Sequence, residues 1–249
     1  MTNKQIKVLE LLKEFIEIAD KHNLEYFVFY GTLLGAKRHK GFIPWDDDID
    51  LIIPKKTYDF LLENYSHKIK HNYNSNNFLL VSKFSNDNDT NIDAVFLDLF
   101  VVVKTNKKNI KKFLSLNTKI RYLRTFTYRR TFKCQWGIKF LKCFLWWTLL
   151  WKKILFNDAW EQLYDENGNL EMIIFWPSKK DVYCNVYNEI DFSDYEFEKF
   201  EDIKVKIPKN WENALVKNYG VNWQIPIKFK LSEHLGMYDM NVFTTKRKK

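Results

Sequence analysis

Phe42-Ile43-Pro44-Trp45-Asp46-Asp47-Asp48-Ile49-Asp50-Leu51-Ile52-Ile53-Pro54 is the stretch on which both fold and chemistry turn. Pro44 and Pro54 bracket a short strand, because proline sits poorly inside a hydrogen-bonded ladder. Alternate side chains of a strand share a face, so Asp46, Asp48 and Asp50 are expected to point the same way. Three carboxylates that close repel one another unless they are solvated at a strand end or share a divalent cation. Mg2+, with Mn2+ as the alternative, takes hard oxygen ligands of this type, commonly carboxylates together with substrate phosphates. The competing reading is an acidic turn that is merely solvated.

Working outward, a second apolar run, Ala94 to Val103, reads as a buried strand interrupted by Asp98. A lone carboxylate there is costly unless it is paired or metal-bound, so Asp98 is the natural third partner of the acidic cluster. Upstream, Leu9, Leu12, Phe15, Ile16 and Ala19 recur at helical spacing and predict an amphipathic helix ending near Asn23. The β-rich run Tyr26 to Tyr30 then leads into Gly31-Thr32 and a short helix. A glycine at that turn lets backbone N–H groups approach a phosphate at a helix N-terminus. Lys37, Arg38 and His39 lie between this turn and the acidic run, placed to meet a diphosphate. Arg38 is best suited, through bidentate hydrogen bonds. His39 reads as a structural hydrogen-bonder before a base, and Trp45 as a core residue.

Composition narrows the classes. The 249 residues are 46% apolar and 29% charged, with only 7 Gly and 5 Pro, which excludes collagen-like, linker-like and disordered chains. Three scattered cysteines give neither a disulfide framework nor a zinc-finger spacing. The net charge of +9 is uneven: Lys104 to Lys153 holds fifteen Lys or Arg and no Asp or Glu, leaving 25 basic against 31 acidic residues elsewhere. Two helices are expected in that insert, near Asn109 to Arg130 and Gln135 to Phe156. Its uncharged stretch, Cys143 to Trp151, falls far below the ~20 residues of a spanning helix. Trp146, Trp147 and Trp151 beside Lys139, Lys142, Lys152 and Lys153 have instead the composition of an interfacial helix. Arg121, Arg124, Arg129, Arg130 and Lys133 would face anionic head groups. The rival reading is a core hairpin with a solvated basic rim.

The last third alternates short strands (Val182 to Tyr187, Ile203 to Ile207) with a helix, Trp211 to Tyr219, and the tail Lys246 to Lys249 reads as disordered. The chain is thus read as α+β with a small mixed sheet. Its parts are a core over 1–103, the basic insert over 104–157 and a C-terminal part over 158–249. With no signal peptide in view, the expected location is cytoplasmic, peripheral to the inner face of the cytoplasmic membrane.

The run Tyr30 to Asp50 resembles the signature of the LicD family, bacterial phosphocholine transferases related to the fukutin-type ribitol-phosphate transferases. Phe96-Leu97-Asp98-Leu99-Phe100 resembles its second acidic motif, although Val101 stands where the family carries proline. Phe197, Ile207-Pro208 and Tyr219-Gly220 resemble its C-terminal pattern, so the likeness runs from Asn23 to Pro226 with a poorly matched middle. The resemblance implies a nucleotidyltransferase-like core, similar to the active-site half of DNA polymerase β. It also implies a CDP-linked donor such as CDP-choline, and a glycan acceptor that a lipid carrier could hold. On the matching positions, Asp48 and Asp50 would be the metal-binding pair, Asp98 the third carboxylate and Asp46 an acidic neighbour, with Gly31 and Thr32 at the donor phosphates. Two alternatives stay open: a nucleotidyltransferase acting on a sugar phosphate or RNA, and a non-catalytic adaptor binding membrane or nucleic acid through Lys104 to Lys153. The aliphatic character of that segment gives no expectation of a specific nucleic-acid partner.

Overall fold

The computed structural model describes residues 1–75, 77–87, 94–127 and 135–226. The elements run α1 (Asn3–Lys21), β1 (Phe27–Val28), α2 (Tyr30–His39), β2 (Asp50–Pro54), α3 (Lys55–Asn64), β3 (Ile69–Lys70), β4 (Ser82–Phe84) and β5 (Leu97–Thr105). They continue through α4 (Lys107–Phe113), α5 (Leu116–Thr127), α6 (Gln135–Phe144), α7 (Phe156–Leu163), β6 (Leu170–Ile173) and α8 (Lys179–Cys184). The last are β7 (Val186–Tyr187), β8 (Tyr195–Phe200), β9 (Ile203–Pro208) and α9 (Trp211–Tyr219).

β5 is the spine. It pairs in parallel with β2, and antiparallel with β4 along its first residues and with β6 along its last. β1 closes one side on β2, β3 extends β4, and β7 extends β6. Seven strands among the described residues make a larger mixed sheet than the sequence suggested, with β8 and β9 as a separate hairpin. The parallel pair needs a crossover, and α3 supplies it by packing on both β2 and β5. Leu97, Leu99, Val101 and Val103 of β5, with Leu51 and Ile53 of β2, are fully buried.

α1 forms as its spacing predicts. Val8, Leu9, Leu12, Phe15 and Ala19 are buried, and the Phe15 ring meets Tyr26 and Phe84 edge-on at 5.4 and 5.5 Å. A capping box opens it: Gln5 N–H donates to Thr2 Oγ1, and Thr2 N–H to Gln5 Oε1. Helix α2 opens at Tyr30, whose φ of 41° is strained for a residue with a side chain. The Tyr30 hydroxyl, donating to Asn185 Oδ1 at 2.5 Å, holds it there. Gly35 is required inside α2, since a Cβ would lie 2.5 Å from the Gly41 carbonyl oxygen.

Several expectations change. The strand expected over Tyr26 to Tyr30 keeps only Phe27 and Val28 in the ladder, because α2 already begins at Tyr30. The strand expected from Pro44 begins only at Asp50. Asp46 N–H closes a turn onto the Ile43 carbonyl, and Ile49 gains only a single bond, from Asp98 N–H to its carbonyl. The helix expected from Asn109 breaks near Leu114, and the one from Gln135 gives way at Leu145 to a 3-10 turn, Trp146–Leu150. Val182 to Tyr187 is mostly α8, with β7 only at its end. β6, α7 and β8 were not foreseen. Trp45, expected in the core, remains 39% exposed. Arg129, Arg130, Lys133, Cys134 and the tail from Lys246 lie outside the described residues.

One buried histidine makes the fold acid-sensitive. His71 Nδ1 accepts the Asn74 N–H at 3.2 Å, and burial pushes its pKa from 6.5 down to about 4. The folded value lies below the unfolded one, so the neutral ring's contribution is whole above pH 6.5 and drains as pH falls toward 4. At pH 5 the loss is about 2 kcal/mol relative to neutral pH. His71→Gln should lack this component, which urea midpoints of both proteins at pH 7.5 and pH 5 will show.

Candidate active site

The sheet itself sets two of the carboxylates. Asp50 and Asp98 are direct register partners on the parallel strands β2 and β5, so their side chains leave one face about 4.8 Å apart. The residues before Asp50 bind it back to α2. Phe29 N–H donates to the Asp50 carbonyl at 2.9 Å, Asp50 N–H to Thr32 Oγ1 at 2.8 Å, and Gly31 N–H to Asp50 Oδ2 at 3.2 Å. Gly31 and Thr32, expected at the donor phosphates, are therefore engaged by Asp50 in this structure.

Asp46 reaches the same place from the loop, not from a strand. A Cβ on Gly31 would lie 2.9 Å from Asp46 Oδ2 and 3.5 Å from Asp50 Oδ2, so two carboxylates close over this glycine and a side chain there would push the Asp46 carboxylate aside. Gln5 pins that loop from α1, its Nε2 donating to the Asp46 carbonyl at 2.7 Å. The expected alternation of Asp46, Asp48 and Asp50 on one strand face is thus replaced by a loop folded onto a strand end. Burial, and behind it the charges of Asp48, Asp98 and Asp46, hold the Asp50 carboxyl well above the usual carboxylate range.

Asp98 has a partner that the sequence did not announce. Lys83 on β4 is its antiparallel register partner, with Nζ 2.5 Å from Asp98 Oδ1 and a side chain that is 0% exposed against 14% for Asp98. The same ammonium lies 3.8 Å from the Phe96 ring centroid. Burial still raises the Asp98 carboxyl, against the lowering effect of Lys83. A signal was present: Lys83 is a lone charge after Leu79-Leu80-Val81-Ser82, as Asp98 is in its own run.

The basic residues of α2 divide. Lys37 turns to the β8–β9 hairpin, with Glu198 Oε2 at 2.8 Å and the Trp211 ring at 3.8 Å. Arg38 donates from Nε to His39 Nε2 at 2.9 Å and from a terminal nitrogen to the Trp223 carbonyl at 3.0 Å. His39 therefore accepts, and burial followed by the Arg38 charge lowers its pKa. Tyr219, at the end of α9, keeps 43% of its surface exposed, yet its hydroxyl end sits among protein groups. Burial, then Asp50, Asp46 and Asp48, push that hydroxyl far up, while Arg38 opposes them. Lys83 and Gln5 are residues of this cluster that sequence reasoning missed, whereas Tyr219 stood out there only within the C-terminal pattern.

The donor type, though not a finished ligand set, is that of a divalent-ion site. The donors are hard carboxylate oxygens whose mutual repulsion a cation would relieve. Among the described residues, no group of three or more His, Cys, Asp or Glu side chains is placed so that it could hold a metal ion.

Residues 23–137 match the family model described as LicD/FKTN/FKRP, nucleotidyltransferase domain. This is a LicD-family domain. It contains all four aspartates, α2, Lys83 and the β2–β5 pair. The resemblance at Phe197, Ile207-Pro208 and Tyr219-Gly220 falls outside it and rests on those residues alone. The lipopolysaccharide cholinephosphotransferase LicD of Haemophilus influenzae is 35% identical over 74 residues, 30% of this chain and 28% of that protein. An uncharacterised protein of Rickettsia typhi is 37% identical over 75 residues, 28% of this chain and 24% of its own. One of Rickettsia prowazekii is 46% identical over 48 residues, 19% and 18% of the two chains. The matches thus span under a third of each relative.

Proposed function

We propose that this protein transfers an alcohol phosphate, with phosphocholine the first candidate, from a CDP-linked donor to a sugar hydroxyl of a bacterial cell-surface glycan. The observation that carries the reading is the convergence of Asp46 and Asp50 over the Gly31 N–H, with Asp98 in register beside Asp50. The core that holds them is read as nucleotidyltransferase-like. The LicD-type segment and the cholinephosphotransferase relative support the substrate class.

Asp48 and Asp50, with Asp98 and Asp46, would hold Mg2+ or Mn2+. When bound, the ion would neutralise phosphate charge and steady the leaving group. The chain's own residues do the rest. The acceptor hydroxyl oxygen forms the new P–O bond to the phosphorus bearing the alcohol as the bond to CMP breaks. The hydroxyl proton passes to Asp98 or a neighbouring carboxylate. Lys83 keeps one Asp98 oxygen occupied and so orients the other. Arg38, fixed by the Trp223 carbonyl, supplies cationic charge near Tyr219 and the cluster.

The test is direct. Purified protein is mixed with CDP-choline, CDP-ribitol and CDP-glycerol, with and without Mg2+, and binding is followed by calorimetry beside Asp48→Asn. Mg2+-dependent binding of one donor, lost in the variant and followed by CMP release with acceptor, is expected. Pyrophosphate release from a nucleoside triphosphate would establish nucleotidyl transfer instead, and binding of no donor would overturn the reading.

A further inference from the structure

The basic insert buries only part of its aromatic and aliphatic residues: Ile110, Phe113 and Ile154 enter the core, and a second group does not. Phe140 and Phe144, one turn apart on α6, and Trp146, Leu149 and Leu150 on the 3-10 turn are 62% to 80% exposed. Five large apolar side chains within eleven positions form an exposed patch of the kind that marks an interaction surface. The platform beneath them is built. Leu145, Thr148 and Ile154 point inward, and the Thr148 hydroxyl donates to the Leu145 carbonyl at 2.7 Å. Thr125 on α5 receives Ile154 N–H at 2.9 Å and donates back to the Ile154 carbonyl at 3.1 Å. Arg121, expected at a lipid head group, instead ties the Lys153 carbonyl and Asp158 together at 3.1 Å each.

Charge selects the occupant. The patch sits in the segment Lys104 to Lys153, which has fifteen cations and no anion, and Lys139, Lys142 and Lys152 are exposed around it. A second copy would bring two such surfaces together against like-charge repulsion. Single-stranded nucleic acid would want stacking faces where Leu149 and Leu150 offer none. No helix among the described residues is long and apolar enough to cross a membrane, so the patch can enter a bilayer only to the depth of its side chains. We propose that Phe140, Phe144, Trp146, Leu149 and Leu150, ringed by the insert's lysines, dock this protein on an anionic bilayer surface. Apolar tips enter the head-group boundary while the cations meet lipid phosphates. The inference is independent of the transfer chemistry.

Vesicles of mixed phosphatidylglycerol and phosphatidylcholine, and of phosphatidylcholine alone, are sedimented with the full chain at low and high salt. Wild type should bind the anionic vesicles at least tenfold more tightly than the neutral ones and lose most of that binding at high salt. Leu149→Gln/Leu150→Gln, at positions already in water, should bind at least tenfold more weakly while keeping its melting temperature. Lys139→Gln/Lys152→Gln should weaken binding to anionic vesicles alone. Bromolipid quenching of tryptophan should accompany wild-type binding. Failure to bind anionic vesicles overturns the proposal, as does equal binding by the leucine variant, which would reduce it to loose charge attraction. Self-association abolished by the leucine variant without vesicle binding would assign the patch to a second copy instead.

Discussion

Asp50→Asn should lower transferase turnover by about a hundredfold or more while leaving the melting temperature unchanged or raised. The two effects should part because the charge of Asp50 is unfavourable in the folded protein. Its carboxylate is pressed by Asp46, Asp48 and Asp98, and its carboxyl stands above the ordinary range in the folded protein. Ionisation at neutral pH therefore works against folding, by the sign of that shift. Asparagine keeps an oxygen for the Gly31 N–H and removes the charge. CMP release and a thermal melt on the same preparation measure both. Near-wild-type turnover would remove Asp50 from the chemistry, and a large drop in melting temperature would show that the carboxylate is structural.

Lys83→Met should destabilise the protein by about 3 kcal/mol, because removing one member of a buried pair strands the other. Methionine retains the contact with Phe96, so the loss reports on Asp98 and not on packing. The double variant Lys83→Met/Asp98→Asn should recover much of the stability, giving a coupling of about 2 kcal/mol in a double-mutant cycle. Urea denaturation of the four proteins supplies the numbers. A single variant within about 0.5 kcal/mol of wild type would mean that Asp98 finds relief elsewhere in the cluster.

Helices α1 and α9 were legible because each carries its own periodicity, which needs no knowledge of neighbours. The acidic run was legible as chemistry but not as geometry. Alternation suggested a strand from Pro44, yet β5 begins its ladder at Leu97, so residues 46–49 have no full partner strand and fold back over Gly31. Lys83 was hidden for a related reason: a charge in one strand acquires meaning only when the strand beside it is known. In the hairpin β8–β9, β9 was legible as the strand Ile203 to Ile207, but β8 was obscured by its own composition, since Glu196, Glu198 and Lys199 mask its pattern. The insert's aromatics read equally as core or as surface, and only their exposure separated the two.

The register of Asp50 against Asp98 makes the sheet a ruler. The spacing between these carboxylates is fixed by backbone hydrogen bonds and not by any side chain's reach. Within the connection from Lys55 to Phe96, α3 packs on both strands and β4 pairs with β5, so length and composition can change between these elements without moving either mark, but not within them. One residue added within Asp50 to Pro54 has a different consequence: the ladder's alternation would turn a mark to the opposite face. Change is thereby channelled into the stretches between these elements and into the insert, while the gauge between the two carboxylates stays set.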